Sequence, residues 1–272
     1  MLKYGDKIAL GVSGGKDSLS LLHILSKISE PYGTKVCAIT VDEGIDGYRD
    51  EAMINAKEFA SKLDIEQVLL SYKDLYGFKL DEGLERRNGK KVAACTICGT
   101  LRKRALDIGA KKGGANVVAT GHNLDDTLQT FMINLLSGDV ERIKWLDPSK
   151  EPKKVFGLKR IKPFMEVYEE EIAYYAFLNE IPFQTVSCPH MSESIRSDIR
   201  VVLNRFEDAH PGIKYNMFRS IMNIAKNLKI ETSRDAKPCL NCGFLCSGDI
   251  CSVCILLQTP SLRLMQIERP KS

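Results

Sequence analysis

Along the first two thirds of the chain the apolar positions switch repeatedly between two periods, and each switch marks an element. The run Lys7-Ile8-Ala9-Leu10-Gly11-Val12 is short, apolar and bounded by polar residues, which predicts a buried strand. Behind it Leu19, Leu22, Ile24 and Leu25 give a helical pattern over residues 17–28. The alternation continues with strands predicted at 35–41, 66–71 and 116–120 and helices at 48–63, 100–111 and 124–136. A helix at 166–179 and a strand at 181–186 complete it. After Pro189 the strands stop. Residues 192–209 and 215–228 read as two helices separated by Pro211-Gly212, and a cysteine-rich module runs from Pro238 to about Leu257. The expected fold class is α/β, a parallel sheet with helices on both faces, with a C-terminal helical segment and a small zinc module. Ligands of such sheets bind at the carboxyl ends of the strands. The expected division is a catalytic domain over 1–190, a helical extension over 191–236, and the cysteine module with its tail over 237–272.

Bulk properties narrow the class. The chain has 272 residues, enough for one large core or two smaller ones, and its 44% apolar and 27% charged content is that of an ordinary globular protein. No apolar run reaches the length of a membrane span, so no membrane partner is expected. The first residues lack the apolar core of a secretory signal, and the expected location is the cytoplasm. The net charge of +4 is unevenly spread: residues 142–162 carry eight basic side chains opposed only by Asp147 and Glu151. Such a stretch fits either a polyanionic partner or a solvated loop. Nine cysteines in a reducing compartment serve more often as metal ligands or catalytic groups than as disulfides.

The candidate chemistry begins at Ser13-Gly14-Gly15-Lys16-Asp17-Ser18, between the first strand and the first helix. A glycine-rich turn at a helix N-terminus presents backbone N–H groups to an anion, Ser13 and Ser18 add hydroxyls, and Lys16 adds charge. A Gly-Gly turn capped by Asp17 or Ser18 is the plainer reading. It is no Walker A loop, because Gly11 sits one residue too close and Asp17 follows the lysine. It does match SGGxDS, the signature of the PP-loop ATP pyrophosphatases. Val41-Asp42-Glu43-Gly44 ends the second strand, where an acid can meet a ribose or base edge. Gly121-His122-Asn123-Leu124-Asp125-Asp126 follows the later strand; its two carboxylates either cap the helix or hold Mg²⁺ beside phosphates. Cys239-x2-Cys242-x8-Cys251-x2-Cys254 supplies two paired thiolate knuckles, a strong signal for a closed tetrahedral Zn²⁺ site. Cys95, Cys98 and Cys188 remain. Three thiolates could hold a [4Fe–4S] cluster with one iron open, two of them could form a redox pair, or all could be buried packing groups.

SGGKDS, VDEG, CTIC, GHNLDD, a lone Cys-Pro, SESIRSDIR and the terminal double CxxC occur in this order along essentially the whole chain. In this the sequence resembles the tRNA 2-thiouridine synthetases of the TtcA/TtuA superfamily, and specifically the TtuA branch, to which archaeal and eukaryotic wobble-uridine thiolases belong. The resemblance implies a PP-loop, HUP-like fold. It implies that ATP binds across Ser13–Ser18, the Thr40–Gly44 strand end with Val41 and Asp42, Gly121 and His122. The uridine 2-carbonyl oxygen attacks the α-phosphate, pyrophosphate leaves, and a sulfur nucleophile then displaces AMP without net redox change. By the same resemblance Cys95, Cys98 and Cys188 hold a [4Fe–4S] cluster, Asp126 matches a proposed catalytic acid, and Arg102 stands where the family has a lysine. Arginine keeps the charge but cannot serve in proton transfer. The implied partners are tRNA, a sulfur donor (sulfide or a ubiquitin-like thiocarboxylate carrier) and a second copy in a homodimer. Arg102, Lys103, Arg104, Lys111 and Lys112 are candidates for a phosphate path, and Arg196 and Arg200 share a helical face near the site. TtuA-type chains usually begin with a further zinc ribbon; here the first strand starts within a few residues of Met1, so that ribbon is expected to be absent or removed. Two other readings are another PP-loop adenylating ligase, lysidine-synthetase-like or amidating, and a zinc-dependent RNA-binding module without catalysis.

Overall fold

The computed structural model of the chain describes residues 2–85, 93–147, 158–193, 195–229, 237–246 and 248–257. Its centre is a five-stranded sheet of β1 (Lys7–Gly11), β2 (Lys35–Asp42), β3 (Gln67–Ser71), β4 (Val117–Thr120) and β5 (Lys159–Ile161). The spatial order is β3-β2-β1-β4-β5 and every pairing is parallel. The chain winds outward from β1 through β2 to β3, then crosses back to β4, so the order reverses between β1 and β4. The loops after those two strands part there, which opens the crevice in which such sheets bind ligands.

Alternation within the strands explains the two covered faces. Ile8 and Leu10 of β1, with Ala38, Val117 and Ala119, pack under α1 (Lys16–Ser29), α2 (Arg49–Lys62) and α8 (Glu169–Leu178). Ala9, Cys37, Ile39, Val41 and Val118 point the other way, under α3 (Tyr72–Tyr76), α4 (Leu80–Glu85) and α5 (Ala94–Lys112). A strand buried on both faces reads as a continuous apolar run, as β1 does. A third cluster joins α6 (Leu124–Leu136) to α9 (Arg196–Ala209) and α10 (Ile213–Asn227) through Leu128, Ile199, Leu203, Phe218 and Ile221. The short α7 (Val140–Lys144) borders it. A two-stranded hairpin, β6 (Lys237–Pro238) with β7 (Leu245–Cys246), and α11 (Ser252–Leu257) form the cysteine module. Its Phe244, Val253 and Leu257 belong to the same apolar cluster as Leu101 and Ala105 of α5, so the module shares its core with the sheet domain.

The architecture is the expected one, and three local expectations need correcting. The strand expected at 181–186 is irregular chain: the Gln184 N–H donates to the Gly14 carbonyl at 3.1 Å, and the Ile181 N–H closes the end of α8 on Ala176. The fifth strand is β5 instead. The helix expected from residue 100 begins at Ala94, which places Cys95 and Cys98 in its first two turns. Before α9 the segment Pro189–Glu193 is a 3-10 turn. Of the basic stretch, residues 148–157 lie outside the described residues. Arg160 is not solvated either, because it pairs with the buried Asp107. Among the described residues no helix is long and apolar enough to cross a membrane.

Leu101 is fully buried on α5 between the sheet and the module. Leu101→Ala is expected to lower the unfolding free energy by about 2–5 kcal/mol, read from urea melts followed by circular dichroism.

Candidate active site

The loop after β1 is built to leave amides free. Gly14 has a φ of +85°, and a Cβ there would stand 2.2 Å from the Ala52 carbonyl oxygen of α2, so only glycine fits. Gly15 caps α1 without a side-chain hydrogen bond, which leaves the first-turn N–H groups to face an anion. Ser18 Oγ braces the loop: it accepts from the Ser13 N–H at 3.1 Å and donates to the Gly15 carbonyl at 3.0 Å. The loop after β4 comes in against it. A Cβ on Gly121 would lie 3.0–3.1 Å from backbone atoms of Asp17 and Ser18, so glycine permits this approach.

Between these loops lies a cleft of ≈ 230 Å³. Its walls include Ser13, Asp17, Ser18, Val41, Gly121, His122 and Asp126, which are among the residues expected to bind nucleotide or act in catalysis, together with Glu43 and Arg102. Lys16 Nζ stands 3.2 Å from Asp17 and 2.8 Å from Glu169 Oε1. Burial works against its charge, but these two carboxylates hold the ammonium above the ordinary lysine value. Burial pushes the Asp17 carboxyl up; Lys16 opposes this, while Asp126 and Glu169 add to it. Glu169 also receives Arg200 at 3.0 Å, and Arg196 lies 3.6 Å from Asp126. Asp126 forms a capping box with Asn123 at the start of α6. Asp125 does not face the cleft: it accepts from Lys214 Nζ at 2.5 Å and from the Glu169 N–H at 2.9 Å, tying α6 to α8 and α10.

The acid at the end of β2 that enters the cleft wall is Glu43. Asp42 turns its carboxylate onto the Gly44 N–H at 2.8 Å. Glu43, 2% exposed, lies between two guanidiniums, with Arg49 Nε 2.7 Å from Oε2 and Arg102 Nε 2.7 Å from Oε1. Arg49 also donates to the Ser13 and Val41 carbonyls, both at 2.9 Å. Arg102 in turn donates to Cys98 Sγ at 3.3 Å. The Glu43 carboxylate holds the Arg102 guanidinium firmly charged. Glu43 fell within the strand end expected to bind nucleotide, though Val41 and Asp42 were the residues named there; Glu169 was not expected. The only local signal was the acidic pair in VDEG, and which member turns inward depends on arginines elsewhere in the chain.

Cys98 is buried one turn before Arg102 on α5, and Cys95, a further turn back, is exposed. Cys188 precedes the 3-10 turn that packs on α5, and the Cys95 thiol lies 3.9 Å from the His190 carbonyl of that turn. Burial raises the Cys98 thiol, Arg102 opposes the rise, and Cys188 is near enough to add to it. Burial likewise raises Cys188; the His190 N–H opposes this and Cys95 adds to it. Cys98 thus borders the cleft through Arg102, with Cys95 and Cys188 on neighbouring segments; among the described residues only the C-terminal four cysteines converge within 4.8 Å. His190 is anchored by Asp81 at 2.8 Å.

On the far side of α5, Cys239, Cys242, Cys251 and Cys254 are all buried, with sulfurs within 4.8 Å of one another. Four converging thiol groups without an open position fit one closed tetrahedral metal ion. Burial opposes it, but the backbone N–H groups of Cys251, Cys242 and Asn241 pull the Cys239 thiol down to about 6. Arg104 corrects an expectation here. It is buried, stacks 3.6 Å over Phe244, and donates to Cys251 at 3.3 Å and Cys242 at 3.7 Å, so it cannot line an RNA path. Lys103, Lys111 and Lys112 are exposed.

Parallel order, glycine loop and cleft at the reversal define a PP-loop nucleotide-binding protein, and the family model described as the PP-loop domain matches residues 3–205. Among its relatives, the tRNA 2-thiolation protein NcsA of Haloferax volcanii is 35% identical over 264 residues, covering 92% of this chain and 81% of that one. The cytoplasmic tRNA 2-thiolation protein 1 of Aspergillus niger is 36% identical over 256 residues, covering 93% and 74%. The U34-tRNA thiolase NcsA from Methanococcus maripaludis, solved with its [4Fe–4S] cluster, superposes with a TM-score of 0.82 at 31% identity, over 97% of this chain and 84% of that one. The chain belongs to the tRNA 2-thiolation family of PP-loop proteins.

Gly14→Ala is expected to weaken ATP binding by at least about tenfold in titration calorimetry, since the strained φ and the clash with Ala52 fall on the anion-binding turn itself.

Proposed function

We propose that this chain is an ATP-dependent tRNA-uridine 2-sulfurtransferase of the cytoplasm, the compartment named for its fungal relative. The observation that carries the reading is the shared wall: Arg102 lines the nucleotide cleft and donates to Cys98, so adenylation and sulfur delivery address one volume. The uridine 2-carbonyl oxygen attacks the α-phosphorus of ATP as the bond to pyrophosphate breaks. The loop amides and Lys16 receive the departing charge, with Lys16 exchanging Glu169 for phosphate oxygens. Asp17, Asp126 and Glu169 are the oxygen donors available to Mg²⁺. Asp126 is the candidate acid, and its capping box fixes the carboxylate at the cleft wall. Cys95, Cys98 and Cys188 are soft thiol donors on two facing segments and fit a three-cysteine [4Fe–4S] cluster. Bound there, the cluster supplies an iron without a protein ligand, on which sulfur from sulfide or a thiocarboxylate carrier can be held. Arg102 contributes a fixed positive charge and no proton. Zinc in the four-cysteine module and a homodimer complete the proposal.

Protein prepared without oxygen should contain about four irons per chain and convert ATP to AMP while thiolating tRNA. Cys98→Ala should lose both iron and thiolation yet retain ATP binding; full thiolation by a Cys95, Cys98 or Cys188 variant would overturn the cluster assignment. AMP formation with a sulfur-free product would point to another adenylating ligase. Separately, about one zinc per chain is expected from elemental analysis, absent in Cys242→Ser, whose thermal midpoint should fall as α5 loses its support.

A further inference from the structure

The cleft and the cysteines are joined by an unbroken line of charged contacts centred on Glu43. From the loop outward, the Ser13 and Val41 carbonyls accept from Arg49, Arg49 and Arg102 flank Glu43, and Arg102 reaches Cys98. One carboxylate thus serves two elements distant in the chain, the start of α2 and the third turn of α5. The two arginines are not equally held. The Arg49 side chain is 6% exposed and has two backbone carbonyls besides Glu43; that of Arg102 is 43% exposed, with Glu43 and the Cys98 sulfur as its polar contacts here. Neutralising Glu43 would leave two guanidiniums facing one another without the charge between them. The looser one would move.

We propose that Glu43 is a positioning residue, which fixes the Arg102 guanidinium over Cys98 and, through Arg49, locks that placement to the backbone of the nucleotide loop. Glu43 lies in the cleft wall with its two carboxylate oxygens taken by Arg49 and Arg102. It acts through Arg102, and its loss is felt first at the cysteine side of the site. This inference rests on the sulfurtransferase reading only for its consequence in catalysis; the placement itself concerns the protein without nucleotide or cluster.

The test compares Glu43→Gln, Arg102→Gln and the double variant in zinc-loaded protein without the iron–sulfur cluster. Labelling of Cys98 by N-ethylmaleimide is followed with peptide-resolved mass spectrometry, and ATP affinity by calorimetry. With Arg102 displaced, the thiol of Cys98, a residue 8% exposed in the intact site, becomes accessible. Losing Arg102 also lowers the thiolate fraction, so labelling is followed across pH and compared per thiolate; on that basis it should rise about tenfold in each single variant, the scale of one charge-assisted hydrogen bond. The double variant should rise no further, because both changes break the same contact. ATP affinity in Glu43→Gln should change by a smaller factor than Cys98 labelling, since both Glu43 oxygens are taken by arginines and Arg49 keeps its two carbonyls. Wild-type labelling in Glu43→Gln, multiplying effects in the double variant, or a weakening of ATP binding with Cys98 unchanged would each overturn the proposal. If Glu43→Gln does not fold, Arg102→Lys decides. It keeps the charge on a half-exposed side chain but cannot hold Glu43 and Cys98 together, so Cys98 should again be unmasked, and wild-type labelling would overturn the assignment. In protein that thiolates tRNA, Glu43→Gln should lower kcat at little-changed KM for ATP. Wild-type protein that does not thiolate would count against the proposed function, while the labelling would still decide this one.

Discussion

Helix α5 is gripped by arginine contacts on two sides, and both cysteine sites take their geometry from it. Arg102 and Arg104 are two residues apart, which on a helix turns them about 200° from one another. One meets Glu43 and Cys98 at the cleft; the other enters the four-cysteine module, donating to Cys242 and Cys251 while stacking on Phe244. Between them Leu101 and Ala105 fill the core against the sheet. A rotation of α5 would therefore disturb both ends together. The module is remote from the nucleotide, yet its contact with Arg104 helps fix the turn that carries Cys95 and Cys98, in the way that outer contacts of a metal site orient inner ones.

The charged groups around the cleft fall into two sets with different physics. Lys16, Asp17, Glu169 and Arg200 form a partly exposed chain of alternating charge. Pairs of this kind contribute about 0–1 kcal/mol each, so the phosphates of a nucleotide can replace them at little cost. Glu43 with Arg49 is a different case. Both are buried, and removing one partner of such a pair costs about 3–5 kcal/mol because the other charge is stranded. The first set suits groups that must exchange partners in each cycle. The second suits groups whose placement must persist through it.

What could be read in the sequence is what is encoded locally. The strand, glycine turn and helix around Ser13–Ser18 are contiguous, so the loop after β1 and its place at a strand end followed directly from spacing. The paired CxxC knuckles converge as their spacing implies. What could not be read depends on pairs distant in the chain. Asp42 and Glu43 are adjacent acids, and only the folded positions of Arg49 and Arg102 decide which one is drawn inward. Asp125 and Asp126 divide in the same way, one claimed by Lys214 and the other left at the cleft. Arg104 sits in a basic run and looks like its neighbours until the cysteine module, more than a hundred residues later, folds over it. Residues 181–186 have strand-like composition, but the fifth strand is β5, and the Gln184 N–H is spent on the Gly14 carbonyl.

The arginine at position 102 gains a physical reason from this geometry. The resemblance implies a lysine there, and lysine offers one compact ammonium at the end of a flexible stem. Here the position must satisfy two partners in different directions, with Nε on the Glu43 carboxylate and an Nη on the Cys98 sulfur. A planar guanidinium meets both from one rigid fork; an ammonium would have to favour one. Arginine at this position therefore offers orientation and a fixed charge, and no proton. It leaves a lasting positive charge at the boundary between the nucleotide cleft and the three cysteines, where a leaving phosphate and an arriving sulfur anion would both carry negative charge.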